Sequence, residues 1–534
     1  MFNSIHEECG VFGIFENKTT QVARSAYLAL FALQHRGQES CGIAVNDDGV
    51  FTHHRGDGLV PDVFTKEKLD ALGTGNMAIG HVRYSTTGGK NHNNIQPLVI
   101  RHIKGNLAIA HNGNLVNAAE LRKRFELQGA IFHGTSDTES IAYSIVKERL
   151  TSNSTEEAVS KIVNRLKGAY SCVVMTATKL IAFRDPMGFR PLCLGKTEDG
   201  AYVVASESCA LETIGAHFIR DIRPGEILTI SISGIKSDTS HCVEKPCGLC
   251  VFEYIYFARP DSVIEGASVQ HARMKAGEFL AKESPVDADI VIGVPDSGLD
   301  AALGYSKASG IPYGVGFIKN KYIGRSFIQP SQDMREDAVR IKLNVIRENI
   351  KDKRVIMIDD SIVRGTTCAR IVSLLREAGA KEVHMRVSSP PFKFPCYFGT
   401  DVDSRDHLIA CKYNTVGEIA QVIGADSLAY LSVEATHHLA ENTGMGFCDG
   451  CFTGKIDLII TQKVSNVVRK DGERQITFLA SILAAQEHPV GIYFVSENIF
   501  TLATYYTDDM FSLEFFPEGH KTLCDGEPIR GLIG

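Results

Sequence analysis

The segment "VIMIDDSIVRGTT" sets an apolar run, residues 355–358, directly before Asp359 and Asp360, with Ser361 and then Arg364, Gly365, Thr366 and Thr367 where a helix begins. Adjacent carboxylates at a strand end can bond vicinal ribose hydroxyls or help hold Mg²⁺, which takes one or two protein carboxylates and keeps several waters. Exposed N–H groups of a Gly-Thr-Thr turn at a helix N-terminus supply donors and partial positive charge for a phosphate. A lone acidic pair is more often a capped, solvated turn, but the extended string describes a site for a phosphorylated sugar. A Pro-Asp-Ser-Gly turn at 295–298 and a cation-bearing stretch with Lys319, Tyr322 and Arg325 add a second loop and a candidate lid.

Four polar strings nearer the start, "LQHRGQES", "GHVRYSTTG", "AHNGNL" and "TSDTES", fit one amino-acid site. Arg83 can grip a carboxylate with its planar fork. Asp137 can receive an ammonium group, and Asn112 with the Gly113 N–H can face a developing oxyanion. Cys9, opening the apolar "CGVFGIF", is by base rate a core thiol.

These residues need scaffolds. A chain of 534 residues is too long for one ordinary core and suggests several domains. With 44% hydrophobic and 22% charged residues it reads as a soluble enzyme, and a net charge of −7 offers no broad attraction to nucleic acid or anionic membrane. The absence of a membrane-length apolar run and the acidic start "MFNSIHEE" lead to an expectation of a cytoplasmic protein.

From Cys9 to about residue 240, short strands meet by hairpins while helical stretches group apart, so an α+β arrangement of layered sheets is expected. The polar "SGIKSDTSHCVEKPCGLC" reads as an irregular connection. A second domain is expected over 250–454, where from about 286 the pattern becomes buried strand, glycine turn and helix, an α/β unit built on a parallel sheet with ligands at the carboxyl ends of its strands. Residues 455–534 are too apolar for a disordered tail but carry no chemical motif, and their role is unknown.

The string at 355–367 resembles the fingerprint of the type I phosphoribosyltransferases. This implies binding of 5-phosphoribosyl 1-pyrophosphate (PRPP), with Asp359 and Asp360 at the ribose and Mg²⁺, Ser361 and Arg364–Thr367 around the 5′-phosphate, and Ser297 near the metal. "CGVFGIF" and the four polar strings resemble the glutaminase domain of the N-terminal-nucleophile amidotransferases, an αββα sandwich. Together the halves are similar to amidotransferases that use glutamine and PRPP to make 5-phosphoribosylamine, glutamate and pyrophosphate at the start of purine synthesis. That resemblance implies removal of an eight-residue propeptide, so that the α-amine of Cys9 serves as the base for its own thiol. It further implies a homotetramer inhibited by purine nucleotides.

Fourteen cysteines, unevenly placed, favour metal or catalysis over disulfides in a reducing compartment. From spacing alone, Cys247-x-x-Cys250 and Cys448-x-x-Cys451 would make a Zn²⁺ site. The resemblance instead implies a structural [4Fe–4S] cluster held by Cys250, Cys396, Cys448 and Cys451, with Cys242 and Cys247 spare. Two rival readings are a PRPP-binding regulator without catalysis and a relative carrying a sugar-phosphate isomerase domain. The first predicts a lost nucleophile or a basic appendage, and the second would lack "IDDSIVRGTT".

Overall fold

The computed structural model describes residues 9–84, 92–244, 248–320, 343–400, 404–441 and 443–455, together with five strands between 464 and 516. Residues 1–8, Cys247, Tyr322 and Arg325 therefore lie outside the described residues.

Alternating side chains along strands of β-branched and aromatic residues give each sheet two faces to bury. A seven-stranded antiparallel sheet runs in the order Ala216–Asp221, Cys193–Thr197, Tyr202–Ala205, Gly10–Thr20, Gly75–Arg83, Ser40–Asp47, Val50–Asp57. A six-stranded antiparallel sheet runs Gly234–Asp238, Ile227–Ser231, Leu180–Arg184, Gly168–Thr176, Gly105–Leu115, Leu98–His102. Val11, Ile79 and Met77 of the first meet Ala110, Val173 and Leu228 of the second in one shared core. The outer faces are covered by helices. Phe12 and Ile43 pack with Ala26 and Leu30 of helix Val22–Ala32, and Ile109 and Cys172 pack with Ile141 and Ile145 of helix Asp137–Arg149.

This is the expected sandwich of helix, sheet, sheet, helix. One expectation fails: the stretch after residue 233 is not wholly irregular, because Gly234–Asp238 folds back on Ile227–Ser231 as the edge strand. Its polar sequence suits an edge open to water on one side.

The second domain carries a four-stranded parallel sheet, Ile290–Gly293, Arg354–Asp359, Glu382–Val387, Ser427–Tyr430. Ile356 and Ile358 face helices Val269–Glu283 and Gly298–Ser309, whereas Val355 and Met357 face Thr366–Glu377 and Val416–Ile423. Burial on both faces explains why "VIMI" shows no alternation.

Residues 456–534 form a separate unit. It contains a hairpin of Val464–Lys470 with Glu473–Leu479 and a meander of Val490–Ser496, Ile499–Tyr505 and Phe511–Phe516.

Candidate active site

Cys9 stands at the mouth of the strand pair in which Gly10 is opposite Val82. It is 9% exposed; its thiol donates to the Tyr84 carbonyl at 3.6 Å, and its own carbonyl accepts from Arg36 Nε at 3.0 Å. The same pairing brings buried Arg83 to this end of the sheet. From the facing sheet, strand Gly105–Leu115 supplies Asn112, which is fully buried and whose amide nitrogen and oxygen both lack a protein partner. Gly113 follows with φ of +139°, where a Cβ would stand 2.2 Å from the Ala169 carbonyl oxygen, so only glycine fits.

Two histidines brace this region. The His81 Nε2–H donates to the His111 carbonyl at 3.0 Å, joining the Arg83 strand to the Asn112 strand. Burial pushes His81 down to about 3, which keeps it neutral. His111 Nδ1 lies 3.2 Å from Thr138 Oγ1 and 3.6 Å from Asp137 Oδ1.

Asp137 opens helix Asp137–Arg149 and accepts the Leu115 N–H at 2.9 Å. Burial alone would raise its carboxyl, but His111, the Leu115 N–H and the Thr138 N–H outweigh that and hold it below the usual carboxylate range. A buried anion at a helix N-terminus is suited to receive an ammonium group.

In the second domain the parallel strand Arg354–Asp359 delivers Asp359 and Asp360 to its carboxyl end. Ser297 Oγ donates to Asp360 Oδ1 at 2.5 Å, Ser361 Oγ donates to the other oxygen, and the Asp360 N–H donates to Asp359 Oδ1 at 3.0 Å. Burial, and for Asp359 the neighbouring Asp360 carboxylate, push both carboxyls up. Gly365 caps helix Thr366–Glu377 with φ of +82°, leaving the first-turn N–H groups of Thr366 and Thr367 at the helix start. Lys319 pairs with Asp296, the residue before Ser297.

The two halves are joined by buried charge. Arg36 Nη1 donates to Glu207 at 2.6 Å and to Glu253 at 2.9 Å, and Nη2 donates to Glu253 at 2.8 Å. Arg190 reaches Glu253 at 3.3 Å and the Phe398 carbonyl at 2.8 Å, while Phe189 stacks on Phe398 with centroids 4.2 Å apart. Asn114 Nδ2, two residues beyond Asn112, donates to the Tyr397 carbonyl at 2.8 Å.

Comparison with known proteins agrees with this division. A glutamine amidotransferase domain family matches residues 81–213, and a phosphoribosyl transferase domain family matches residues 266–389. Amidophosphoribosyltransferases of Archaeoglobus fulgidus and Bacillus subtilis are each 48% identical, over 84% and 86% of this chain and 97% and 96% of their own lengths. That of Methanocaldococcus jannaschii is 49% identical, over 84% of this chain and 97% of its own. This chain belongs to the amidophosphoribosyltransferase family. It is accordingly a glutamine amidotransferase and a phosphoribosyltransferase in one polypeptide.

Two solved structures align closely. One, described as the allosteric regulatory enzyme of purine biosynthesis, has a TM-score of 0.78 at 48% identity and covers 84% of this chain and 96% of its own. The other is the glutamine PRPP amidotransferase of B. subtilis complexed with ADP and GMP, with a TM-score of 0.77 at 48% identity and coverage of 84% and 97%.

Within this family member, Cys250, Cys396, Cys448 and Cys451 share one half-buried neighbourhood. Cys250 is paired in register with Cys448. Burial, followed by the neighbouring thiols, raises Cys451, and burial pushes Cys448 up to about 12. Among the described residues, no group of three or more His, Cys, Asp or Glu side chains is arranged to hold a metal ion. Cys242 stands apart, near Arg220, Arg223 and Glu226.

Sequence reasoning gave no role to Arg36, Glu207, Arg190 or Glu253, or to His81 and His111. Arg36, His81 and His111 sat inside quoted polar strings, and Glu253 sat beside Cys250. No local signal marks an ion pair whose members are 171 or 217 residues apart.

Proposed function

We propose that this chain makes 5-phosphoribosylamine from PRPP and the amide nitrogen of glutamine, with Cys9 as nucleophile. Residues 1–8 are removed, and the freed α-amine of Cys9, with an unperturbed pKa of about 7.7–8.0, takes the thiol proton. Arg83 holds the substrate carboxylate and Asp137 its ammonium group. The thiolate attacks the amide carbon, and the oxyanion is met by Asn112 Nδ2–H and the Gly113 N–H. The protonated α-amine returns its proton to the departing nitrogen, leaving a glutamyl thioester and ammonia. Water then attacks the thioester, releasing glutamate and restoring the thiol.

Ammonia attacks C1 of PRPP, the C1–O bond breaks, and pyrophosphate leaves. A water-poor route between the sites is supported by the contacts of Asn114 with Tyr397 and of Phe189 with Phe398 at the junction. Asp359 and Asp360 face the ribose hydroxyls, Ser361 and Arg364–Thr367 cradle the 5′-phosphate, and Lys319 lies on the pyrophosphate side. Tyr322 and Arg325 are proposed to join it there from sequence alone.

The oxygen-only set of Asp359, Asp360 and Ser297 suits Mg²⁺, which when bound would neutralise the pyrophosphate leaving group. The cysteines are proposed to hold a [4Fe–4S] cluster of structural role. Cys250 lies in register with Cys448, and the thiols of Cys250, Cys396 and Cys448 neighbour that of Cys451, which supports one shared group. Iron by analysis with an absorbance band near ~400 nm is expected, and stoichiometric zinc without iron would reverse the assignment.

The observation that carries the reading is the buried, unpartnered Asn112 amide beside a residue that can only be glycine. Pyrophosphate release should require both PRPP and a nitrogen donor. Cys9→Ala should abolish the glutamine-dependent reaction and spare the ammonia-dependent one. Glutamine turnover by Cys9→Ala, or by a chain retaining residues 1–8, would refute the assignment.

Among the described residues no helix is long and apolar enough to cross a membrane, and the cytoplasm is the proposed location. Purine nucleotides are proposed inhibitors, supported by the ADP and GMP in the B. subtilis relative, and a homotetramer is the proposed assembly.

A further inference from the structure

We propose that Glu253 is a positioning residue for Cys9, supplied to the glutaminase half by the segment that leads into the phosphoribosyltransferase half. The inference rests on the reading of Cys9 as the nucleophile. Arg36 spends its guanidinium in two directions. Nε donates to the Cys9 carbonyl at 3.0 Å, while Nη1 and Nη2 both bind the Glu253 carboxylate, at 2.9 and 2.8 Å. A guanidinium is planar and its donors keep a fixed fork. The two-point grip by Glu253 therefore sets the plane of Arg36 and with it the direction of Nε. Glu207 adds only one contact to Arg36, at 2.6 Å, and cannot define that plane alone.

Glu253 is itself held firmly. It begins the wide helical turn Glu253–Phe257, and Arg273 of helix Val269–Glu283 ties that turn down. Arg273 donates to the carbonyls of Tyr254, Tyr256 and Ala258 at 2.9, 2.9 and 2.7 Å. Arg36, Glu207 and Glu253 have no exposed side-chain surface, so water cannot substitute for a lost partner at low cost. Glu253→Gln keeps the shape while removing one buried negative charge. Its amide can accept one of the two Arg36 bonds but not both.

A purely structural ion pair would, on removal, lower every activity together with the melting temperature. A positioning role separates them. In the full-length, processed Glu253→Gln enzyme, glutamine-dependent turnover is expected to fall about 10²-fold, the size of an ångström-scale misplacement of a nucleophile. The rate at which 6-diazo-5-oxo-L-norleucine alkylates Cys9 should fall alike, while ammonia-dependent pyrophosphate release stays within a factor of about two. Arg36→Lys keeps the charge balance but not the fork, and should show the same split. It isolates the Arg36–Cys9 contact, and Glu253→Asp, which keeps the charge but draws the carboxylate back from the fork, carries the test should Glu253→Gln not fold. The double variant should be no worse than the poorer single one, because both break the same contact.

Unchanged alkylation and glutamine turnover would overturn the proposal, as would a parallel fall of both activities. Cys9→Ala serves as the control. If it still turns over glutamine, the nucleophile assignment fails; if it is inactive while Glu253→Gln is normal, only the positioning role fails.

Discussion

Replacing Asn112 with alanine should separate catalysis from stability. The side chain is fully buried, and neither end of its amide has a protein partner. Its deletion therefore breaks no protein hydrogen bond, and it removes polar atoms whose unsatisfied burial costs about 1–3 kcal/mol. Against that gain stands the packing lost with the small side chain, which leaves a net change of about 1 kcal/mol or less in either direction. The melting temperature should move by no more than about 2–4 °C. Catalysis should respond quite differently. Loss of one oxyanion donor costs about 2.7–4 kcal/mol, or 10²–10³ in kcat. Glutamate release from glutamine reports the first quantity, thermal unfolding the second, and ammonia-dependent pyrophosphate release monitors the untouched second site. Glutamine turnover within about threefold of the parent enzyme would refute the oxyanion role, since so small a loss is far below any removed donor. A melting temperature lowered by much more than ~4 °C would show that the amide was structurally paired after all.

Glu207 offers a test by pH. Burial pushes its carboxyl up, but His35, Arg36 and the Ser262 hydroxyl overcome this and hold it well below the ordinary value of 4.5. A depressed carboxyl stabilises fully above its unfolded value and loses that contribution as pH falls below about 4.5. Glu207→Gln should therefore be less stable than the parent near neutrality, with a shallower further loss in urea melts below that pH. Asp360→Asn removes an acceptor that Ser297 and Ser361 both address. It should lower PRPP-dependent activity by about 10–100-fold with either nitrogen donor, while Cys9 alkylation is unaffected. A chain ending at Lys455 keeps the whole larger unit, and relatives matched over nearly their full lengths cover only 84–86% of this sequence. Both activities should survive that truncation, and loss of either would assign the last 79 residues a part in catalysis.

What was legible in the sequence was local. Asp359, Asp360 and Gly365 fall within one strand–turn–helix unit, so chain connectivity alone brings them together, and the structure keeps them there. Asn112, Gly113 and Asp137 were legible because their residue types suit an amide substrate and their strings end a strand or begin a helix. Gly234–Asp238 was missed because an edge strand with a wet face has the composition of a loop. The buried cluster was illegible for a different reason. Arg36, Arg190, Glu207 and Glu253 carry the residue types most often found in water, and only the assembled fold excludes it.

That distinction bears on why the proposed cluster ligands should be scattered over 250, 396, 448 and 451. The residues just after Cys396 touch the glutaminase half: the Tyr397 carbonyl accepts from Asn114, and the Phe398 carbonyl accepts from Arg190. The residues just after Cys250 lead to Glu253, which grips Arg36. Carbonyl acceptors on a short loop hold a neighbouring domain only if the loop itself is fixed, because ordering each free residue costs roughly 1–2 kcal/mol. An anchor at Cys396 and another at Cys250 would pay that cost once for both contacts. With the proposed cluster in place, the cysteines would fix the loops, and the buried arginines would turn those fixed positions into the placement of Asn114, Arg36 and, through its carbonyl, Cys9.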